Sequence, residues 1–136
     1  MDLKNFSNKE YELREDIPRF VPSESFASSF GLQWNAFRKV QLDSYTNTNM
    51  SEDRVKTAIP MPLESIKGLR ILEVGSGAGR FTEILLKYGA IVYSFDLSDA
   101  VLANYANNMP HENLTIFQAD VENIPFKDNF FDVSLC

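Results

Sequence analysis

The 136-residue sequence lacks several features that mark particular protein classes. It has one cysteine, Cys136, which excludes an internal disulfide. Neither this residue nor the single histidine, His111, has a second ligand placed beside it, so we expect no metal site. No apolar run approaches the ~18 residues that cross a bilayer, and the amino terminus lacks the apolar core of a secretory signal. We therefore expect no membrane partner and a cytoplasmic location.

Positive charge is also scarce. The chain has 13 Lys and Arg residues against 19 Asp and Glu residues, which gives a formal net charge of −6. An acidic chain repels a phosphate backbone, and the basic residues are scattered rather than gathered on one element. The composition therefore disfavours a nucleic-acid partner, and it carries no signal for oligomeric state.

The sequence divides near Pro60 into two regions. Residues 1–60 form an irregular, aromatic-rich lead, whereas residues 61–136 alternate between strand-like and helix-like patterns. We predict an extended and α-helical N-terminal cap (1–60) followed by one α/β domain (61–136). Within the lead, the segment from Ile17 to Pro22 is predicted to be extended, because each proline disfavours helix at the residue before it.

Two helices are predicted in the lead. Phe30, Trp34 and Phe37 recur at helical spacing, which predicts a helix across Gln33 to Leu42. Packing on the main domain explains this aromatic stripe better than a role for Trp34 in covering a ligand, since apolar stripes usually serve cores. A second helix is predicted to begin at Ser51, whose hydroxyl can cap it.

The second region has strand-like segments separated by amphipathic helices. The first helix repeats apolar residues at i, i+3, i+4 and i+7 from Phe81 and ends at Gly89. Ser98 is predicted to cap the second helix, and Pro110 stops it. Such alternation implies βαβ units, parallel strands and right-handed crossovers, so the predicted fold class is α/β. The predicted strands are Leu69–Val74, Ala90–Phe95, Leu114–Ala119 and Phe130–Leu135.

A glycine-rich turn joins the first predicted strand to the first helix. Gly75 and Gly77 allow a sharp turn and let a ligand approach without meeting a Cβ, and Gly79 lets the helix pack closely on the strand. The amides of the turn and the helix dipole leave a positive end facing the cleft. The spacing is G-x-G-x-G, with Arg80 where the dinucleotide fingerprint G-x-G-x-x-G has its third glycine.

Three carboxylates, those of Glu73, Asp96 and Asp120, each close a successive predicted strand. The carboxyl ends of parallel strands line one crevice, so we expect the three to converge there. Glu73 would repel a pyrophosphate but suits an ammonium or sulfonium group. Asp96 can accept hydrogen bonds from both hydroxyls of a ribose, and Asp120 from an adenine amino group while Val121 offers backbone contact. Each acid taken alone is equally well explained as a helix cap or a solvated loop acid.

These residues resemble the motifs of class I S-adenosylmethionine-dependent methyltransferases, and most closely the broad type 11 group. Glu73 and the three glycines match motif I, Asp96 matches the acidic ribose-binding position, and Asp120 matches the adenine-side position. The resemblance implies a Rossmann-like parallel sheet with S-adenosyl-L-methionine as cofactor. The candidate cofactor-binding residues are Glu73, Gly75, Ser76, Gly77, Gly79, Asp96, Leu97, Asp120 and Val121.

The resemblance also implies the reaction, a direct displacement that transfers a methyl group, most commonly to a small molecule. The family's sheet usually has seven strands and four are readable here, so we expect the fold to be incomplete at its C-terminus and the 136 residues alone to be inactive. No catalytic residue is assigned. Two alternatives are a non-catalytic cofactor- or nucleotide-binding module and a nicotinamide-dependent oxidoreductase, against which the glycine spacing and Glu73 argue.

Overall fold

A six-stranded sheet organises the computed structural model, which describes residues 3–7, 9–22 and 28–136, and of residues 28–31 the backbone only. The strands are β1 (Glu12–Arg14), β2 (Ile17–Arg19), β3 (Arg70–Val74), β4 (Ile91–Asp96), β5 (Leu114–Gln118) and β6 (Val133–Leu135). The helices are α1 (Ser28–Ala36), α2 (Asp43–Thr46), α3 (Met50–Ala58), α4 (Arg80–Lys87) and α5 (Ala100–Asn108). The strand order is β1-β2-β5-β4-β3-β6, and all neighbours are parallel except β1 and β2. The predicted α/β class with a parallel sheet is confirmed.

The element boundaries follow the sequence closely in the second region. Helix α4 ends where Gly89 takes the left-handed conformation (φ 79°), as predicted. The Ser98 hydroxyl accepts a hydrogen bond from the Ala100 amide over 3.1 Å at the start of α5. Strand β6 begins at Val133, later than predicted, because Phe130 and Phe131 turn their rings towards an aromatic cluster instead of extending the ladder.

The two faces of the sheet are covered differently. Helices α3, α4 and α5 lie on one face and enclose an aliphatic core that includes Ile71, Leu85 and Val92. The other face carries aromatic rings in edge-to-face and stacked contacts. These rings belong to Phe6, Phe20, Tyr93, Phe95, Phe117, Phe126, Phe130 and Phe131. Both faces of β4 and β5 are therefore buried, which explains their nearly continuous apolar sequence.

The lead contributes a hairpin to the same sheet. Glu15 and Asp16 both have positive φ (52° and 62°), which gives the two-residue turn between β1 and β2 the twist that matches paired strands. Strand β2 then lies parallel to β5, with Arg19 opposite Gln118. The extended conformation predicted from Ile17 is confirmed. The boundary between residues 60 and 61 stays a prediction.

The helices of the lead differ in detail from the prediction. Helix α1 ends at Ala36 rather than Leu42, and the carbonyl of Arg38 accepts a hydrogen bond from Asn107 Nδ2 of α5 over 2.8 Å. Helix α3 begins at Met50, and its first amides donate to the Asp43 carboxylate rather than to the Ser51 hydroxyl. The side chain of Phe30 lies outside the described residues.

Candidate functional site

The glycine turn lies at the carboxyl end of β3 and is tied to the neighbouring strand. The amides of Gly75 and Ser76 both donate to the Phe95 carbonyl, over 3.0 and 2.9 Å. Gly75, Gly77 and Gly79 have φ values of 73°, 51° and 85°, which L-residues with a Cβ rarely adopt. The sequence therefore places glycine where the backbone must run left-handed between β3 and α4.

The three glycines meet different surroundings. A Cβ at Gly75 would contact nothing within 4 Å, so the turn is open to a ligand there. A Cβ at Gly79 would clash with the side chains of Asn104 and Asn108 in α5. The predicted close packing at Gly79 is thus between helix α5 and the turn.

Asp96 ends β4 beside this turn. Its Oδ2 accepts a hydrogen bond from the Gly77 amide over 3.0 Å, and its Oδ1 accepts from the amide and hydroxyl of Ser98 over 2.9 and 2.7 Å. The carboxylate is half-buried and each oxygen has two lone pairs, so Oδ2 keeps capacity for a further donor. A hydroxyl entering the crevice could use that capacity.

Glu73 lies beneath the turn rather than on the surface of the crevice. Its side chain faces α4 and α5: Oε2 accepts from the hydroxyls of Thr82 and Ser94, which in turn bind Asn104. Oε1 is buried and has no hydrogen-bond partner. Burial of a residue that is 1% exposed raises the pKa of Glu73 from 4.5 to about 7, against the lowering effect of the two hydroxyls.

The remaining candidates lie at the ends of β4 and β5. Asp120 follows β5 and accepts a hydrogen bond from the Glu122 amide over 2.9 Å, which caps a short 3₁₀ turn. Leu97 and Val121 are 44% and 57% exposed, so both side chains are accessible from this edge of the sheet. The structure thus brings Asp96 into contact with the turn, places Asp120 beyond the adjacent strand, and sets Glu73 below them.

Two residues near the site were given no binding role by the sequence. The Trp34 indole lies against the turn, since a Cβ at Gly77 would be 3.3 Å from its Cζ2 atom. Arg19 is buried at the end of β2 and bonds Asp99 and Gln118. Helical spacing favoured packing of Trp34 on the domain over a role in covering a ligand, and a lone arginine in an extended segment gives no pattern to interpret.

Two kinds of feature are missing from the described residues. Within 3–7, 9–22 and 28–136 there is no group of three His, Cys, Asp or Glu side chains that could hold a metal ion. In the same part of the chain, every helix is too short or too polar to cross a bilayer.

Sequence and structure comparisons relate this chain to known methyltransferases. A family model described as a methyltransferase domain matches residues 72–136. A ubiquinone biosynthesis O-methyltransferase from Coxiella burnetii is 34% identical over 74 residues, covering 53% of this chain and 32% of that protein. A ribosomal RNA small subunit methyltransferase A from Lactococcus lactis is 27% identical over 73 residues, covering 53% and 25%. The chain spans about a third or less of the length of these two relatives.

Among solved structures, the S-adenosylmethionine-dependent methyltransferase from Mesorhizobium loti superposes with a TM-score of 0.50 at 28% identity, over 62% of this chain and 38% of that one. The strand order β5-β4-β3-β6, with a glycine turn after β3, is that of a Rossmann-like sheet. Together with the family match and the similarity to this structure, it identifies a class I S-adenosylmethionine-dependent methyltransferase domain. More particularly, residues 72–136 match the type 11 methyltransferase domain family. The cofactor of this family is S-adenosyl-L-methionine.

Proposed function

We propose that the crevice at the carboxyl ends of β3, β4 and β5 binds S-adenosyl-L-methionine, and that the whole protein transfers its methyl group to a small molecule. The proposed binding residues are Glu73, Gly75, Ser76, Gly77, Gly79, Asp96, Leu97, Asp120 and Val121. The single observation that carries the proposal is the bond between Gly77 and Asp96, which joins the turn to the strand-end acid.

The side chains present are suited to the chemistry of this cofactor. Asp96 Oδ2 has a free lone pair for a ribose hydroxyl, and the exposed side chains of Leu97 and Val121 offer apolar surface to an adenine ring. Glu73 is buried beneath the turn, so its carboxylate can stabilise the positive charge of an ammonium or sulfonium group through space rather than by direct contact. A bound cation would also lower the raised pKa of Glu73 and favour its ionised form.

The bound cofactor would supply a methyl group on a positively charged sulfur. The role of this chain's residues is to orient it, because such a displacement depends largely on holding the reacting atoms in line. The glycine turn and Asp96 are suited to that role, since the turn is hydrogen-bonded to Phe95 of β4 and Asp96, the last residue of β4, accepts a bond from the turn. We assign no general base among the described residues.

A small-molecule acceptor is favoured by two observations. The relative from Coxiella burnetii carries a name that refers to ubiquinone biosynthesis, and the net charge of −6 opposes binding to a phosphate backbone. The relative from Lactococcus lactis is named for ribosomal RNA, so an RNA acceptor is the outcome to test against. A cytoplasmic location remains a prediction from the sequence.

Calorimetric titration of the full chain tests the cofactor site. We expect S-adenosylhomocysteine to bind and NAD not to, which would also exclude the oxidoreductase alternative. Asp96→Ala removes the acceptor of the ribose hydroxyls and should abolish measurable binding of S-adenosylhomocysteine. Asp128→Ala is the matched control, since it removes the same charge from an exposed loop. Unchanged affinity in Asp96→Ala would refute the site.

Transfer of labelled methyl from S-adenosyl-L-methionine tests the acceptor. The whole protein is incubated separately with a small-metabolite extract and with total RNA. Label in the metabolite fraction is the expected result, and label in RNA would overturn the proposed acceptor class. Binding of S-adenosylhomocysteine without transfer to either fraction would favour a non-catalytic binding module.

A further inference from the structure

The buried arginine of the hairpin is placed unusually for its charge. Arg19 is 3% exposed at the end of β2, and its Nη1 donates to Oδ1 of Asp99 over 2.7 Å and to Oε1 of Gln118 over 2.6 Å. A guanidinium out of contact with water is unfavourable unless its donors are paired. The Nε atom of Arg19 is also buried and has no hydrogen-bond partner, so the two bonds from Nη1 offset the burial of the charge.

The partners of Arg19 hold the loop between β4 and α5. Asp99 is the last residue of that loop, just before α5 begins at Ala100. Gln118, the second partner, donates from Nε2 to the Leu97 carbonyl over 2.7 Å. One arginine thus reaches the loop at two points, directly at Asp99 and through Gln118 at Leu97.

The same loop carries two of the proposed nucleoside contacts. Asp96 opens it, and the exposed side chain of Leu97 follows. Asp96 Oδ1 also binds the amide and hydroxyl of Ser98, so the position of the carboxylate depends on the path of the loop. A shift at Leu97 or Asp99 would move the acceptor intended for the ribose hydroxyls.

From this geometry we infer that Arg19 is a positioning residue for the nucleoside half of the cofactor site. The inference rests on the proposed function and deepens it: the N-terminal hairpin, outside the matched domain, sets affinity through the loop from Asp96 to Asp99. Arg19 itself is buried against Asp99 and Gln118 and is not assigned a contact with the cofactor. Arginine suits this role because its long side chain places Nη1 within reach of both acceptors and its guanidinium stays charged.

The test compares two ligands across matched variants of the full chain. Arg19→Met should weaken both S-adenosylhomocysteine and 5′-methylthioadenosine by about tenfold and by the same factor, because both share the nucleoside. Arg14→Met, in the same hairpin, is the control: Arg14 is paired with Glu12 and its side chain is 33% exposed, so affinity should not change. Arg19→Lys should fall between the wild type and Arg19→Met, because lysine keeps the charge but its shorter side chain does not place the nitrogen where Nη1 lies.

Amide hydrogen exchange provides a readout that general loss of stability does not reproduce. In Arg19→Met, the amide of Ser98 should exchange faster relative to amides of β3, and in Arg14→Met it should not. Should Arg19→Met fail to fold, Asp99→Asn serves instead: it keeps an oxygen acceptor, loses the charge, and should weaken both ligands by about threefold.

The outcomes separate this inference from the proposed function. Absence of S-adenosylhomocysteine binding by the wild type would refute the proposed function itself. Wild-type binding with unchanged affinities in both Arg19→Met and Asp99→Asn would overturn the positioning role alone. The positioning role would also be overturned if Arg19→Met lost S-adenosylhomocysteine binding but kept 5′-methylthioadenosine binding. Equal ligand affinities in Arg19→Lys and Arg19→Met would overturn it as well.

Discussion

The amide of Gly77 donates a hydrogen bond to the carboxylate of Asp96 over 3.0 Å, although the two residues belong to successive strand ends. This bond fixes the separation between the turn and the acid before any ligand arrives. A site whose parts are already in place loses less conformational entropy on binding than one that must assemble. The crevice is therefore preorganised on the side that we propose for the ribose.

The buried carboxyl of Glu73 should make the protein less stable as pH rises. Its pKa is about 7 in the folded state, because burial disfavours the charged form, against the usual value of 4.5 that applies to the unfolded chain. Between these values the unfolded chain releases the proton and the folded chain keeps it, so the free energy of unfolding falls by about 3 kcal/mol. Below pH 4.5 both states are protonated and the effect is absent.

Glu73→Gln tests this expectation by urea denaturation at pH 5 and pH 8. The variant keeps a hydrogen-bonding oxygen for Thr82 and Ser94 but cannot ionise, so the loss of stability between the two pH values should shrink by roughly 2–3 kcal/mol. Glu64→Gln, at an exposed position, should leave the pH dependence unchanged. An identical loss in Glu73→Gln and the wild type would show that Glu73 is ionised in the folded protein throughout.

Gly79 should tolerate alanine much less well than Gly68. Both have strongly positive φ (85° and 77°), which costs an L-residue about 1–2 kcal/mol. Only at Gly79 would the new Cβ also clash, with Asn104 and Asn108, and Asn104 is held by Thr82 and Ser94. We expect Gly68→Ala to lower the free energy of unfolding by about 1 kcal/mol and Gly79→Ala by at least twice as much. Equal losses in denaturant titrations would contradict the clash.

Trp34 should report cofactor binding by fluorescence, because it is the single tryptophan and lies against Gly77. A ligand that enters beside the turn will exclude water from the half-buried indole, so its emission should shift to shorter wavelength as S-adenosylhomocysteine saturates the site. In Trp34→Phe the signal should vanish while calorimetric binding persists. An unchanged emission at saturation would place the ligand away from Gly77.

The main βαβ pattern could be predicted because its signals are local and repeated. The apolar runs that became β3, β4 and β5 and the helical spacing from Phe81 each span enough residues to distinguish a strand from a helix. The strand-end positions of Asp96 and Asp120 followed from parallel topology alone. What the topology could not give is the direction of the Glu73 side chain, which depends on hydroxyls contributed by α4 and β4.

The lead was harder to predict because its structure depends on distant partners. Strands β1 and β2 have three residues each, too few for a clear alternation, and their turn uses Glu15 and Asp16 where glycine or asparagine is usual. Helix α3 is capped by Asp43, which lies well before it in sequence and outside any local capping motif. Trp34 and Arg19 acquire their roles only through contacts with residues much later in the chain.

The pairing of β2 with β5 has a consequence for the order of folding. Arg19 and Gln118 are 99 positions apart, so the hairpin reaches its place only after the chain through Gln118 has left the ribosome. Contacts between residues so far apart in sequence form late in folding, because the entropy cost of closing the long intervening loop has to be met before the contact can form. During synthesis β1 and β2 therefore stay unpaired with the sheet until β5 has formed, and the outer edge of β5 is exposed until they dock.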